Sequence, residues 1–260
     1  MFPYKLIVSD LDGTLLNSGK KISERNIAAF KKARECGALI AFSTARSAGA
    51  MREYIAAVQP DILISNGGAL VEKDGETLFS RQLSAESVRH IIKRCFELSE
   101  GKCEITIETD YGYFWNYKPD CDFSRYETPE NVQYSDLSDF KYSAYKVTAE
   151  VEREEDARKI AAELPDCGTL SFRGEIWRRF AHTEATKRNA LEHICGCLDI
   201  EPKEILAFGD DYNDLEMLEY CTGAAMGNAL DEIKAAARFV TDTNDNDGVA
   251  AFLENLFDRG

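Results

Sequence analysis

The chain has 260 residues, of which 44% are hydrophobic and 30% are charged, and this balance excludes wholesale disorder. Its formal net charge of −15 argues against broad binding to nucleic acid or to an anionic membrane, both of which need a concentrated basic surface. An anionic substrate would need a metal ion or a few well-placed cations to offset this negative charge locally.

The same sequence carries no sign of a membrane or secretory segment. No stretch approaches the roughly 18 uninterrupted apolar residues of a membrane-spanning helix. The N-terminal "MFPYKLIVSDLDG" lacks the successive charged, apolar and small-residue zones of a secretory signal. We therefore expect a cytoplasmic protein with no membrane or nucleic-acid partner, while a monomer and a homodimer both remain open.

The first part of the chain alternates short apolar strands with amphipathic helices. Strands are predicted over residues 5–9, 38–44 and 61–66, and helices over residues 23–37 and 48–58. The first helix starts with a capping serine and ends in glycine. Alternation of this kind predicts a parallel sheet that is covered by helices on both faces.

The pattern changes after residue 80. A helix is predicted over residues 84–98, and "CEITIETD" and "YGYFWNY" then read as an antiparallel hairpin. A strand over 142–151 and a helix over 154–164 follow, which together indicate a separate α+β unit. The polar stretch at 118–141 receives no assigned structure.

Strand and helix alternate again from about residue 182, with a helix over 186–198, a strand over 204–209 and a helix over 213–221. The simplest architecture is an α/β fold in which a doubly wound parallel-sheet (Rossmann-like) core is interrupted by an inserted α+β cap domain. The predicted core comprises residues 1–81 and 182–260, and the predicted cap comprises residues 82–181.

Polar residues follow four of the core strands at their carboxyl ends, where ligands bind in an open parallel sheet. They are Asp10 and Asp12 after the first strand, Thr44 after the second, Asn66 after the third, and Asp210 with Asp211 after a later one. These side chains are expected to converge on one edge of the sheet.

Asp10 and Asp12 would repel each other without a cation, but together with Asp210 they offer hard oxygen ligands suited to Mg²⁺. Asp214 lies four residues beyond Asp210, so its carboxylate can face the same site and ligate directly or through water. An isolated aspartate more often caps a helix or turns a loop. The combination of "DLDGT" with "GDDYND" favours the metal site.

Two further positions could hold an anion. The hydroxyl of Thr44 and the amides that follow it lie at a predicted helix start, although a threonine there is more often only a cap. Lys187 lies at the entry to the helix over 186–198, where a lysine taken alone is more often a solvated surface charge.

Taken together, these residues resemble the motifs of the haloacid dehalogenase superfamily, the aspartate-nucleophile phosphohydrolases. "DLDGTLL" is similar to its first motif, Thr44 of "STAR" to its second, Lys187 to its third and "GDDYNDLEML" to its fourth. A cap inserted between the second and third motifs is similar to the type IIB cap of the Cof-like phosphatases. The segments "ISNGGALV", "AMGNA" and "DNDGVA" also resemble that subfamily.

The resemblance implies a role for each matched residue. Asp10 would attack the phosphorus of a phosphomonoester and form an aspartyl-phosphate. Asp12 would act as general acid and then as general base, and its backbone carbonyl would contribute to Mg²⁺ coordination with Asp10, Asp210 and Asp214. The transferring oxygens would be held by Thr44, the Ala45 amide, Lys187 and Asn213. Asn66 and Gly67 are possible substrate-binding residues, and Ala45, where a glycine is usual, keeps the amide that anion binding needs.

The resulting expectation is a Mg²⁺-dependent phosphatase that acts on a small phosphorylated metabolite, with sugar phosphates as the first expectation. A phosphomutase or a sugar-pathway-specific phosphatase of the same fold is the nearest alternative. A non-catalytic phospho-ligand sensor is an alternative of another class, although a silent sensor should have lost a motif and none is lost here. In the cap, Tyr113, Trp115 and Tyr117 could stack on a sugar or could form the cap's own core. Three arginines near the end of the cap are candidate contacts for a second anionic group, although the default expectation for each is a charge on the surface: Arg173, Arg178 and Arg179.

Overall fold

The computed structural model describes residues 2–117, 132–171 and 176–258. The chain divides into two compact units, of which the larger comprises residues 1–79 and 186–260 and the smaller comprises residues 80–185. The described residues form these strands: β1 Leu6–Ser9, β2 Leu39–Ser43, β3 Ile62–Ser65, β4 Leu70–Lys73, β5 Glu76–Ser80, β6 Ile105–Thr109, β7 Gly112–Trp115, β8 Val132–Tyr134, β9 Lys146–Glu150, β10 Cys167–Ser171, β11 Trp177–His182, β12 Ile205–Gly209, β13 Thr222–Ala225 and β14 Phe239–Val240. They form these helices: α1 Glu24–Glu35, α2 Arg52–Val58, α3 Ala85–Ser99, α4 Glu154–Ala162, α5 Lys187–Leu198, α6 Leu215–Tyr220, α7 Asp231–Ala236 and α8 Gly248–Phe257.

The larger unit is built on a sheet whose strand order is β14-β13-β12-β1-β2-β3-β4-β5. Neighbouring strands from β14 to β3 run parallel, as the alternation of strands and helices predicts. Strand β1 lies between β12 and β2, and all of its residues are buried. The predicted fold class is confirmed, and the loop after β1 starts from the middle of the parallel sheet.

An antiparallel hairpin of β4 and β5 at one end of this sheet was not predicted. Strand β4 pairs antiparallel with β3, and β5 lies beyond it at the edge. Asp74 and Gly75 connect β4 to β5, and both have positive φ angles of 53° and 80°. An Asp-Gly pair with two positive φ angles is the preferred two-residue hairpin turn, so this "DG" is the signal that could have revealed the hairpin.

The smaller unit has a sheet with strand order β10-β11-β9-β6-β7-β8. Its neighbours pair antiparallel, including the predicted hairpin of β6 and β7, except that β8 runs parallel to β7. Helices α3 and α4 pack their apolar residues against the strand residues of one face, such as Ile107, Val147 and Phe180. Strand β8 lies in the stretch that sequence analysis left unassigned, and residues 118–131 of that stretch lie outside the described residues.

Local sequence signals agree with several helix starts. Helix α1 begins after Ser23, whose side chain accepts a hydrogen bond from the Asn26 amide. The helix predicted from residue 213 begins as a 3₁₀ turn at Tyr212–Asp214 and continues as α6. Within the described part of the chain, the helices are all too short or too polar to span a lipid bilayer.

Candidate active site

Asp10 occupies the carboxyl end of β1 and is only 6% exposed. Its amide donates to the Phe208 carbonyl of β12 at 3.1 Å, which fixes the start of the loop. Gly13 follows with a φ of +77°, and a Cβ atom there would lie 2.3 Å from Oδ2 of Asp210. A glycine at this position therefore lets the loop after β1 approach the loop after β12.

The two loops bring three carboxylates together. One oxygen each from Asp10, Asp210 and Asp214 lies within 4.8 Å of the other two. Oδ1 of Asp210 accepts a hydrogen bond from the Thr14 hydroxyl at 2.8 Å. Oδ2 of Asp214 accepts the amides of Asp210 at 3.0 Å and Asp211 at 3.3 Å. The backbone of the loop after β12 is thus folded around the Asp214 side chain.

Lys187 places its ammonium group between two of these carboxylates. It is the first residue of α5, whose N-cap is Thr186, and it is 3% exposed. Its Nζ atom donates to Oδ1 of Asp10 and to Oδ1 of Asp214, each at 2.6 Å. This lysine is therefore buried in the acidic cluster and is not the solvated surface charge that an isolated lysine would suggest.

The charges of this cluster do not balance. Burial raises the pKa of Asp10, Lys187 lowers it, and the carboxylates of Asp214 and Asp210 raise it again, so that it lies well above its usual range. Burial and the Asp214 carboxylate raise the pKa of Asp210 to about 7. Burial alone would lower the pKa of Lys187, but Asp10 and Asp214 raise it overall. One ammonium group faces three carboxylates, so the site is short of positive charge.

This donor set fits a divalent metal ion. Oδ2 of Asp10 and Oδ2 of Asp210 receive no hydrogen bond from the described residues, so each carboxylate keeps one oxygen for a ligand bond. Carboxylate oxygens are the hard ligands that Mg²⁺ and similar cations prefer. A divalent cation here would also offset the excess negative charge that raises the pKa of Asp10 and Asp210.

The carboxylate of Asp12 lies apart from the cluster. Arg46 binds it with two nitrogens, Nε to Oδ2 at 2.6 Å and Nη2 to Oδ1 at 2.8 Å, and Lys20 adds a contact at 2.6 Å. The expected grouping of this side chain with Asp10 and Asp210 is not found, because two nearby cations hold it, and Asp214 is the third carboxylate instead. Its backbone carbonyl is a different atom, and the assignment of that atom to the metal stays a prediction.

The ion pair with Arg46 keeps Asp12 ionised. Burial alone would raise the pKa of Asp12, but hydrogen bonds from Arg46 and Lys20, together with their charges, lower it to about 2. The Asp12 side chain is nevertheless 40% exposed, whereas that of Arg46 is 13% exposed. A carboxylate in this state can accept a proton, and it can donate one only after the ion pair opens.

The loops after β2 and β3 are tied to each other. Thr44 is 1% exposed, and its hydroxyl accepts the Arg46 amide at 3.2 Å. The Gly67 amide donates to the Thr44 carbonyl, and the Asn66 amide donates to the Arg46 carbonyl, both at 2.8 Å. Oδ1 of Asn66 is buried without a hydrogen-bond partner among the described residues. Ala45, between Thr44 and Arg46, thus lies on a loop whose backbone is fixed on both sides.

Asn213 is the least constrained of the predicted site residues. It is half-buried in the 3₁₀ turn that leads to Asp214. Its side chain makes no hydrogen bond with the residues that the structure describes, so its predicted contact with phosphate stays a prediction.

A family model for haloacid dehalogenase-like hydrolases matches residues 7–253. The chain belongs to the haloacid dehalogenase-like hydrolases. This match extends over both units, and the family predicted from the order of the four motifs is confirmed.

Known relatives of this haloacid dehalogenase-like hydrolase are named phosphatases. The 5-amino-6-(5-phospho-D-ribitylamino)uracil phosphatase YitU of Bacillus subtilis is 30% identical, over 98% of this chain and 98% of its own. The phosphatase YwpJ of the same organism is 28% identical, over 97% and 99% of the two chains. The predicted class of enzyme is thereby confirmed.

Solved structures of the superfamily have the same fold. A phosphatase from Bacteroides thetaiotaomicron is 26% identical with a TM-score of 0.83, over 98% of this chain and 95% of its own. A HAD subclass IIB sugar phosphatase has a TM-score of 0.84 over 97% and 99% of the two chains, but at 22% identity it shows the fold alone.

Sequence analysis missed several residues that shape this hydrolase site. Arg46 and Lys20 were not predicted as partners of Asp12. Asn228 donates to the Gly13 carbonyl at 2.7 Å and accepts the Asn244 amide at 2.9 Å. Asn228 lies in "AMGNA" and Asn244 directly precedes "DNDGVA", so the resemblance pointed to this part of the chain without giving either asparagine a role. They brace the loop that carries Asp10 and Asp12.

Gly68 gives a test of how Lys187 is positioned. Its φ is +96°, and a Cβ atom there would lie 2.2 Å from the Thr186 carbonyl carbon and oxygen. Gly68→Ala should therefore push α5 away, lower the free energy of unfolding by more than about 3 kcal/mol and reduce turnover. Urea denaturation and steady-state kinetics measure the two effects.

Gly75→Ala is the matched control for this substitution. Its φ of +80° gives the same backbone strain, but nothing lies within 4 Å of the added Cβ. This substitution should lower the free energy of unfolding by only about 1–2 kcal/mol and leave turnover unchanged. Equal losses of stability and of turnover in the two variants would contradict the close contact between Gly68 and Thr186.

Proposed function

We propose that this hydrolase is a Mg²⁺-dependent phosphatase of small phosphorylated metabolites, with Asp10 as its nucleophile. The observation that carries the proposal is the buried Asp10 carboxylate, which Lys187 holds beside Asp210 and Asp214. Such a site presents one carboxylate oxygen at the carboxyl end of the central strand, where open parallel sheets bind ligands.

The proposed reaction has two halves. In the first, a carboxylate oxygen of Asp10 forms a bond to phosphorus, the bond from phosphorus to the leaving oxygen breaks, and Asp12 gives that oxygen a proton. In the second, Asp12 takes a proton from a water molecule whose oxygen attacks the phosphorus. The bond between the Asp10 oxygen and phosphorus then breaks, which releases inorganic phosphate and restores the Asp10 carboxylate.

The ion pair of Asp12 has a place in this scheme. The ion pair keeps Asp12 ionised, which is the form that can accept a proton in the second half. For the first half, we propose that the Asp12 side chain leaves Arg46 and Lys20, after which burial would raise its pKa and allow it to carry a proton. The exposed fraction of the side chain leaves room for this movement.

The remaining residues of the site would orient Asp10 and stabilise the negative charge on the transferring oxygens. Lys187 would orient Asp10 and stabilise negative charge on the transferring oxygens, with Thr44, the Ala45 amide and Asn213 as further donors. A Mg²⁺ ion held by Asp10 and Asp210 would supply positive charge against the same oxygens. Both oxygens of Asp214 already accept hydrogen bonds, so we propose that Asp214 acts through Lys187 and the loop amides.

The substrate class follows from two lines of support. The sequence motifs favour sugar phosphates, and one relative is named for a phosphorylated ribitylamino compound. Both chemistries have a phosphate on a polyhydroxylated carbon chain, and we propose this as the common feature of the substrate, with Asn66 and Gly67 as possible contacts. The cytoplasmic location predicted from the sequence stays part of this proposal.

The proposal is tested by a panel of phosphorylated sugars, sugar alcohols and sugar acids with Mg²⁺, in which release of inorganic phosphate is measured and Asp10→Asn is the blank. Wild-type enzyme should release phosphate, a chelator should abolish the release, and added Mg²⁺ should restore it. Turnover that persists after exhaustive chelation would contradict the metal requirement. An isomeric phosphate ester in place of free phosphate would show a phosphomutase, and binding without turnover would show a sensor.

A further inference from the structure

Two asparagine side chains from a distant part of the chain hold the backbone of the loop after β1, which carries Asp12. Nδ2 of Asn228 donates to the Gly13 carbonyl at 2.7 Å, and Nδ2 of Asn244 donates to the Leu16 carbonyl at 2.8 Å. Asp12 forms an isolated β-bridge with Leu16. The two hydrogen bonds therefore fix the backbone directly after Asp12 and the backbone of its bridge partner.

The two asparagines are also connected to each other. Oδ1 of Asn228 accepts the Asn244 amide at 2.9 Å, so the Asn228 side chain joins the loop after β1 to the segment after β14. The segments after β13 and β14 are fixed in turn, because the Gly227 amide donates to the Asp242 carbonyl at 2.9 Å. Each asparagine uses its amide nitrogen as a donor to the loop, and a side chain without that nitrogen would leave the loop carbonyl without this partner.

A third contact continues along the loop toward Lys20. Asp245 accepts the Ser18 amide at 2.7 Å and the Ser18 hydroxyl at 2.6 Å. The Lys20 amide donates to the Asn17 carbonyl at 2.9 Å, and the Nζ atom of Lys20 donates to Oδ1 of Asp12 at 2.6 Å. The loop thus starts at Asp12 and returns to it, while its course in between is fixed from outside.

We propose that Asn228 and Asn244 are positioning residues for the proton that Asp12 transfers to the leaving oxygen. In this step the bond from phosphorus to the leaving oxygen breaks, and a proton moves from a carboxyl oxygen of Asp12 to that oxygen. The asparagines hold the backbone, so the carboxylate moves between its ion pair with Arg46 and the leaving oxygen by side-chain rotation alone. A loose backbone would place the acid within hydrogen-bond reach only part of the time. The proposal rests on the proposed function, in which Asp12 is the general acid.

The competing explanation is that the asparagines only join two parts of the fold and stabilise it. A loss of folded enzyme would lower activity toward every substrate by the same factor. A misplaced acid matters only where the leaving oxygen needs a proton. Nitrophenolate leaves as a stable anion, whereas phenolate is a stronger base and gains more from protonation, so the two leaving groups separate the explanations.

The kinetic test compares kcat/KM for 4-nitrophenyl phosphate and phenyl phosphate. This constant reports on the first half of the reaction only, and the two esters are similar in shape. Asn228→Ala and Asn244→Ala should each lower kcat/KM for phenyl phosphate by about 10- to 100-fold, but that for 4-nitrophenyl phosphate by less than about threefold. Asp12→Asn is the reference for a lost acid and should show the same selectivity more strongly.

Hydrogen exchange of the complete protein tests the anchoring without catalysis. In both asparagine variants the amides of residues 13–20 should exchange at least about tenfold faster than in the wild type, while those of β2 should not change. Asn246→Ala is the matched control, because Asn246 lies in the same 3₁₀ turn as Asn244 but donates to Oδ1 of Asp242. This control should change neither the exchange of the loop nor the ratio of the two kcat/KM values.

Selective loss on phenyl phosphate together with faster exchange of the loop supports the proposal. Equal loss on both esters, or unchanged exchange of the loop, would overturn it and leave the asparagines a purely structural role. Selectivity in Asp12→Asn but in neither asparagine variant would overturn the positioning role alone. If Asp12→Asn treated the two esters alike, or if the wild type hydrolysed neither ester, the general-acid step of the proposed function would fail, and the positioning role would fail with it.

Discussion

Replacing Asp10 with asparagine is expected to abolish phosphate release while leaving the protein at least as stable as the wild type. An amide cannot form the aspartyl-phosphate, so turnover should fall by at least about 10³-fold. The stability effect has a separate cause. Burial and neighbouring carboxylates raise the pKa of Asp10, which means that its charged form is less favourable in the folded protein than in the unfolded chain.

Neutralising this position removes one of three crowded negative charges and leaves Lys187 paired with Asp214. The free energy of unfolding without metal should therefore stay constant or rise by about 1 kcal/mol, as is common when a functional site is relieved of strain. Phosphate release and thermal unfolding of the metal-free protein measure the two effects.

Asp231→Asn is the control, because this aspartate is fully exposed at the start of α7 and should change neither quantity. Turnover of Asp10→Asn within about tenfold of the wild type would remove Asp10 from the nucleophile role. A marked fall in stability would instead show that the carboxylate mainly holds the fold together.

Lys187→Met is expected to have the largest effect on stability. It removes the ammonium group that lies 2.6 Å from both Asp10 and Asp214 and leaves two buried carboxylates facing each other. Breaking a buried ion pair from one side typically costs about 3–5 kcal/mol. Activity should also be lost, because the lysine is proposed to orient the nucleophile.

Two further measurements show whether Lys187→Met is destabilised by the missing positive charge or by a simple loss of packing. Mg²⁺ should stabilise Lys187→Met more than it stabilises the wild type, because the ion would replace part of the missing positive charge. The double variant Lys187→Met with Asp214→Asn should recover part of the lost stability, since one of the facing charges is gone. Urea denaturation with and without Mg²⁺ measures both effects.

Lys203→Met provides the matched control. Lys203 also forms an ion pair, with Glu201, but its side chain is 77% exposed. Such surface pairs contribute about 0–1 kcal/mol, so this substitution should be nearly silent. If the free energy of unfolding fell by the same small amount in both lysine variants, the buried cluster would not be the stabilising unit described above.

The sequence predicted the residues at strand ends well, because one rule covers them. Parallel strands bring their carboxyl ends to one edge, so Asp10, Thr44 and Asp210 could be placed from the order of strands and helices. The same reasoning works less well for Asp12. It lies two residues beyond Asp10, but the direction of its side chain depends on Arg46 and Lys20, whose positions come from loops that no periodicity describes.

The buried arginines show a different limit. In β11 the sequence "WRRFAH" does not alternate between polar and apolar residues, so nothing in it shows which face each side chain takes. Surface exposure was the default expectation for Arg178 and Arg179, and it is wrong for both, which are 7% and 9% exposed. Arg173, the third arginine named with them, lies outside the described residues.

The place of β1 in its sheet has a consequence for biosynthesis. One neighbour of β1 is β2, made soon afterwards, but the other is β12, which emerges from the ribosome about 200 residues later. The smaller unit is continuous in the chain and can fold in the meantime, whereas β1 waits with one edge unpaired. Premature termination before β12 would thus release fragments with an open strand edge and a high tendency to aggregate.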